Sequence, residues 1–245
     1  MKLALWTPRA AQGWPARLAP RLERHAALVV VAGEPRRRPE VDLDLYHLAN
    51  DPVHGFVYRA VLQRPGLVVL ESWNLHALVY AETAGRGETG AYLREARRER
   101  GETGAFVARQ VLRGLGGALP ELLPLNDRVL ESSVALVATL EDVRARAAAC
   151  LGERPSLTLP LGEGNPEHDA AAVETLLALV HRAIAGLPAR ARELGAERAL
   201  ERTPRGRALL ELRPRAHELG LAGVPAGVKT RLAALLPGPP GDDQD

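Results

Sequence analysis

Between Asp42 and Ser72 the chain twice runs an apolar stretch into a polar cluster: Tyr46, His47, Asn50, Asp51 and His54 first, then Glu71, Ser72, Trp73, Asn74 and His76. Side chains of these types suit acid–base work and the binding of a hydroxylated ligand. A carboxylate such as Glu71 can act as a general base beside a hydroxyl, and His47, His54 and His76 can serve as acid–base groups. Asn50, His76 and Tyr46 can hydrogen-bond hydroxyl groups, and Trp73 can stack on a sugar ring. Each has a plainer alternative. Glu71 can face the N-terminus of the next helix, Asn50 and Asp51 before Pro52 can cap one, and Trp73 can be a buried anchor. Metal binding is not indicated, because His47, His54 and His76 lack ligand spacing and a cysteine partner.

The elements that must position these residues are legible around them. Lys2–Trp6 is a short apolar strand, and a helix is expected from about Pro15 to His25. Ala26–Ala32 is apolar and β-branched throughout, the pattern of a strand buried on both faces. Val41–Leu48 is a strand whose alternating acids, Asp42 and Asp44, predict one polar side or a place near an edge. A helix over Pro52–Gln63, a turn at Pro65-Gly66 and a buried strand over Leu67–Leu70 follow. Trp73 to Leu123 reads as several helices, with Thr89 and Thr103 in capping positions and a break at Gly101–Gly104. A short helix (Asn126–Glu131), a strand (Ser133–Thr139), a helix (Leu140–Leu151) and a last strand (Ser156–Pro160) complete the alternation. The fold class is α/β, a doubly wound, mostly parallel Rossmann-like sheet of about six strands with a helical C-terminal segment. Residues 1–165 form the Rossmann-like domain, 166–236 the helical segment and 237–245 a disordered tail. Within that segment Ala170–Ala185 is amphipathic, and the arginines from Arg182 to Arg215 read as a solvated face.

Composition excludes several functions. The 245 residues are 46% apolar and 25% charged, ordinary for a globular protein. The net charge is only +2, the lysines are Lys2 and Lys229 alone, and aromatics are 4%. Scattered arginines without stacking aromatics argue against nucleic-acid binding. Cys150 is the only cysteine, so no internal disulfide is possible, and it reads as a small buried residue. The N-terminal apolar run is too short for a signal peptide, so a cytoplasmic location with at most peripheral membrane contact is expected. Ser132 and Ser133 lack a nucleophile elbow, and neither a dinucleotide fingerprint nor a phosphate-binding P-loop can be read.

The segments Tyr46–Asp51, His54, Phe56–Arg59, Pro65–Leu78 and Pro124–Thr139 occur in an order and spacing that resembles the N-terminal, acceptor-side domain of family 4 glycosyltransferases. Those enzymes hold their active site between two Rossmann-like domains. The chain departs from the pattern: Ala49 replaces a glycine, Glu71-Ser72 a His-Asp pair, Ala77 a second histidine and Thr139 a serine. Ala10–Trp14 keeps one glycine of a glycine-rich loop. No donor-binding second domain is recognisable after Gly162. The resemblance implies an acceptor-binding half, with Glu71 and His54 as catalytic residues and Asn50, Trp73, His76, Tyr46 and Thr139 binding substrate. A carbohydrate or glycolipid acceptor is implied, with no cofactor; a nucleotide sugar is a co-substrate only if a donor-binding partner supplies its site. The alternative is a non-catalytic interaction or scaffold module, oligomeric through the face left uncovered.

Overall fold

Six parallel strands, in the order β2-β1-β3-β4-β5-β6, form one sheet with helices on both faces. The computed structural model describes residues 1–10, 12–159, 166–201 and 203. The strands are β1 (Lys2–Trp6), β2 (Ala27–Val31), β3 (Leu43–Leu48), β4 (Gly66–Leu70), β5 (Ser133–Ala138) and β6 (Ser156–Thr158). The helices are α1 (Gly13–Leu22), α2 (Gly55–Gln63), α3 (His76–Glu82), α4 (Thr89–Leu112), α5 (Asp127–Ser132), α6 (Glu141–Leu151) and α7 (Pro166–Glu201). The fold is therefore the doubly wound, Rossmann-like α/β sheet that the alternation of elements implies. Pro160, the residues from 204 to 236 and the tail lie outside the described residues.

Strand alternation divides the core in two. Leu3, Leu5, Leu43, Leu45, Leu67, Val69 and Val137 meet Trp14, Leu18 and Leu22 of α1 and Val173, Leu176 and Val180 of α7. Ala4, Trp6, Tyr46, Leu48, Val68, Leu70 and Leu136 face the other way, against α2, α3, α5 and α6. Each fully buried Leu or Val contributes about 1.5–3 kcal/mol of transfer free energy, so both faces are firmly held. The span His168–Ala199 of α7 is long and apolar enough to cross a membrane. Its apolar stripe is nevertheless spent on the sheet, and Glu174, Thr175, His181 and Arg182 lie outside.

Two strand expectations are corrected. The run Ala26–Ala32 is not buried on both faces: β2 is an edge of the described sheet, paired among the described residues with β1 only, and Val29 and Val30 are exposed. Conversely β3, expected near an edge, lies between β1 and β4 with all six residues buried. Its Asp44 carboxylate is compensated inside the sheet by the Trp6 indole N–H at 2.7 Å and by Arg38 at 3.1 Å. Arg64 stands 3.5 Å from the same carboxylate.

The helices carry further differences. Thr89 begins α4 rather than capping it; the cap residue is Glu88, which makes no side-chain cap bond. The expected break is real, for Gly101 takes φ 58° and ψ −141° and divides α4 into two helices. A Cβ on Gly104 would meet the Ala96 carbonyl oxygen at 2.1 Å, so the kink also demands glycine there. The arginines of α7 are not all solvated: buried Arg190 donates to the Glu131 carbonyl at 2.8 Å, and Arg198 donates to the Leu62 carbonyl.

Candidate functional site

In this strand order the chain leaves β1 toward β2 on one side and returns to β3 on the other. The carboxyl ends of β1 and β3 are thus the topological switch point, where open α/β sheets bind ligands. Thr7 follows β1 with the parity of Leu3 and Leu5, His47 shares the parity of Leu43 and Leu45, and Glu71 that of Leu67 and Val69. All three therefore belong to the α1/α7 face at the ends of neighbouring strands. The ladder runs on past the strands to hold them: Thr7 N–H donates to the Val31 carbonyl and Glu71 N–H to the Leu48 carbonyl, both at 3.0 Å.

His47 is the hub. Its Nδ1 lies 2.8 Å from Thr7 Oγ1, and its Nε2 lies 2.8 Å from Glu71 Oε1. The second contact is close but bent away from the ring N–H, so its attraction is more charge–dipole than a straight hydrogen bond. The Trp14 ring covers the His47 ring edge-on at 5.0 Å. His54 packs edge-on at 4.8 Å and binds the His47 carbonyl through Nδ1 at 2.9 Å. A carbonyl only accepts, so Nδ1 of His54 carries the proton and its buried Nε2, without a hydrogen-bond partner, is a lone pair when the ring is neutral. Burial lowers the His54 pKa below the ordinary histidine value, which keeps the ring neutral. At the rim Arg9 pairs with Asp51 at 2.7 Å, both side chains about two-fifths exposed.

The Glu71 side chain keeps 30% exposure. The close contact with His47, aided by the nearby Arg9 charge, lowers its pKa below the usual carboxylate range. The group is therefore an ionised hydrogen-bond acceptor at neutral pH and an intrinsically weak base. Asp51 is also held below its usual value, first by the Val53 N–H that it caps at 3.0 Å and then by Arg9.

Of the residues singled out from sequence, Glu71 and His54 come together here, but His54 is wholly buried and cannot touch a ligand as drawn. Thr139 adjoins them, its hydroxyl donating to the Glu71 carbonyl at 3.3 Å. Asn50 is spent as a cap: its Oδ1 accepts from Ala77 N–H at 2.8 Å and Leu78 N–H at 3.3 Å, at the start of α3. His76 is occupied at both nitrogens, Nδ1 donating to the Leu123 carbonyl and Nε2 accepting from the Tyr92 hydroxyl, each at 2.8 Å. Tyr46 lies on the opposite face of the sheet, its hydroxyl donating to the Arg64 carbonyl at 2.9 Å and meeting Arg38. Trp73 is half-buried against the α2-side core, and its carbonyl accepts from Asn126 at 2.6 Å.

Thr7, Arg9 and Trp14 were missed by the sequence reading. Thr7 was findable, since it is the first polar residue after a strand, the same signal that picked out Glu71. Among the described residues no group of three or more His, Cys, Asp or Glu is arranged to hold a metal ion. Cys150 is half-buried on α6, its thiol pushed up to about 11 by burial and then by the nearby Asp127 carboxylate, so it is a poor nucleophile. No family model matches the chain, and neither a curated protein nor a solved structure matches it.

Proposed function

We propose that the cluster at the carboxyl ends of β1, β3 and β4 binds a hydroxylated acceptor, and that the chain is the acceptor-side half of a glycosyltransferase-like enzyme. The observation that carries this reading is Glu71, a partly exposed carboxylate set against buried His47 beside the switch point. The resemblance of Tyr46–Asp51, Pro65–Leu78 and Pro124–Thr139 to such acceptor domains supports it. In the transfer, the acceptor oxygen forms a bond to the anomeric carbon of an activated sugar. The bond from that carbon to the phosphate oxygen breaks, and the nucleoside diphosphate leaves with the electron pair. The acceptor proton passes to Glu71. A weak base suffices, because the acceptor hydroxyl turns strongly acidic as its oxygen bonds to an oxocarbenium-like carbon. The donor site is supplied by a separate domain or chain.

The test is a thermal-shift survey of the purified chain against monosaccharides and glycolipid headgroups, alone and with candidate donor-domain proteins. A ligand at 100 times its Kd adds about 2.7 kcal/mol, which in a chain of this size raises Tm by roughly 5–10 °C. Glu71→Gln should remove that shift. No response to any acceptor, in either setting, overturns the reading.

One observation favours the alternative, a scaffold module. Among the described residues strand β2 has β1 as its only strand neighbour and exposes Val29 and Val30, an edge able to add a strand from another chain. Light scattering separates the two: a dimer lost in Val29→Lys favours the scaffold, and a monomer counts against it.

A further inference from the structure

We infer that Thr7 and His47 are positioning residues that aim the Glu71 carboxylate at the acceptor hydroxyl, through a chain of polar contacts from the β1 loop to the end of β4: hydrogen bonds from Arg9 to Thr7 and from Thr7 to His47, then the close His47–Glu71 charge–dipole contact. The inference rests on the acceptor-site reading and adds two residues to it, neither of which would touch the ligand.

The direction of the chain follows from donor and acceptor counting. Arg9 backbone N–H donates to Thr7 Oγ1 at 3.2 Å, which occupies one lone pair of that hydroxyl. The carboxylate of Glu71 has no proton to give when ionised, so Nε2 of His47, 2.8 Å away, carries the ring proton toward it. In the neutral ring Nδ1 is then a lone pair, and the Thr7 O–H at 2.8 Å is its donor. The Arg9-to-Thr7 and Thr7-to-His47 dipoles point the same way, toward the Glu71 end, and such chains polarise one another. Thr7 is 0% and His47 1% exposed, so water does not compete for these bonds. Of the side chains of Thr7, His47 and Glu71, that of Glu71 alone reaches solvent.

The arrangement has the members of a Thr–His–Glu triad but not its function. Thr7 is sealed from any substrate, so its hydroxyl orients the ring instead of attacking a carbon. Packing of Trp14 and His54 against the ring at 5.0 and 4.8 Å fixes its plane, which leaves the tautomer as the only freedom for Thr7 to settle.

The experiment is NMR on the full chain, reading the Glu71 side-chain carboxyl titration and the His47 ring nitrogens. The groups facing Glu71 are His47 from β3, His54 from the turn after β3, and Arg9 from the β1 loop, with Asp51 paired to Arg9. In the wild type the His47 proton should sit on Nε2, and Glu71 should titrate below an ordinary glutamate. Thr7→Val and His47→Leu should move the Glu71 midpoint upward, whereas Thr7→Ser and His47→Gln, which keep the donors, should restore most of it. Binding of an acceptor sugar found in the survey should weaken about tenfold in Thr7→Val and remain near wild type in Thr7→Ser. A wild-type Nδ1–H tautomer, or a Glu71 titration unmoved by Thr7→Val and His47→Leu, overturns the inference even if Tm falls. The tautomer measurement needs no variant, so it decides even where Thr7→Val does not fold. If Glu71 responds as expected but no sugar binds, the chain of bonds stands and the acceptor reading falls.

Discussion

The Asp44 carboxylate, with no exposed side-chain area, is paired at 3.1 Å with an Arg38 guanidinium whose side chain is 24% exposed. The same guanidinium lies over the Trp6 ring, 5.0 Å from its centroid. That arginine thus closes the β1–β3–α2 side of the sheet over a buried charge that it shares with the Trp6 indole N–H and Arg64.

Breaking that pair should be costly, because a buried carboxylate losing a partner keeps its desolvation penalty. Arg38→Met is expected to destabilise by roughly 3 kcal/mol. Adding Asp44→Asn should recover part of the loss, since the uncompensated charge is then gone. Urea midpoints of the two single variants and the double variant check this.

Arg154 holds two helix ends at once. Its guanidinium donates to the carbonyls of Leu130 (2.5 Å), Ser133 (2.8 Å), Cys150 (2.7 Å) and Leu151 (2.8 Å), the last turns of α5 and α6 and the start of β5. Burial, and then Arg190, lower its pKa to about 10, still far above neutrality. Arg154→Met should leave buried carbonyls unsatisfied and cost about 3 kcal/mol, read as a fall in Tm.

Stability should pass through a maximum with pH. Burial holds His54 and His76 below the usual 6.5, so the unfolded chain takes up protons first as pH falls. Their contribution is full above about 6.5 and is lost on acidification toward the folded values. Asp127 has the opposite sign. Burial, then Glu99 and Glu131, push its pKa up to about 8, so its contribution is full below 3.8 and is lost as pH rises toward 8. Denaturation across pH 5–9 should show His54→Asn flattening the acid limb and Asp127→Asn the alkaline limb.

The kink of α4 should tolerate no side chain. Gly101→Ala is expected to lose roughly 1–3 kcal/mol, because only glycine is comfortable at that backbone conformation. Gly104→Ala must push the Ala96 carbonyl aside. Since both substitutions disturb one bend, the double variant should lose less than the sum of the two.

Much of the architecture was legible in the chain itself. Alternation of apolar runs with amphipathic stretches implies a parallel, two-layered α/β sheet, because strands joined through helices must run the same way and be covered on both faces. Polar residues at the ends of those runs mark the working end of the sheet, and Glu71 is found there. What local pattern cannot carry is which strand stands next to which. A β-branched run such as Ala27–Val31 looks the same at the edge as at the centre, and Asp44 signals solvent until Arg38, six residues before it, and the more distant Arg64 and Trp6 close on it. The roles of the histidines were decided in the same way. His76 is consumed by Tyr92 and Leu123, whereas His47 is turned toward Glu71 by a threonine forty residues earlier. Hydrogen-bond partners so far apart in sequence are chosen by packing, so only the tertiary structure separates a histidine that supports the site from one that supports the core.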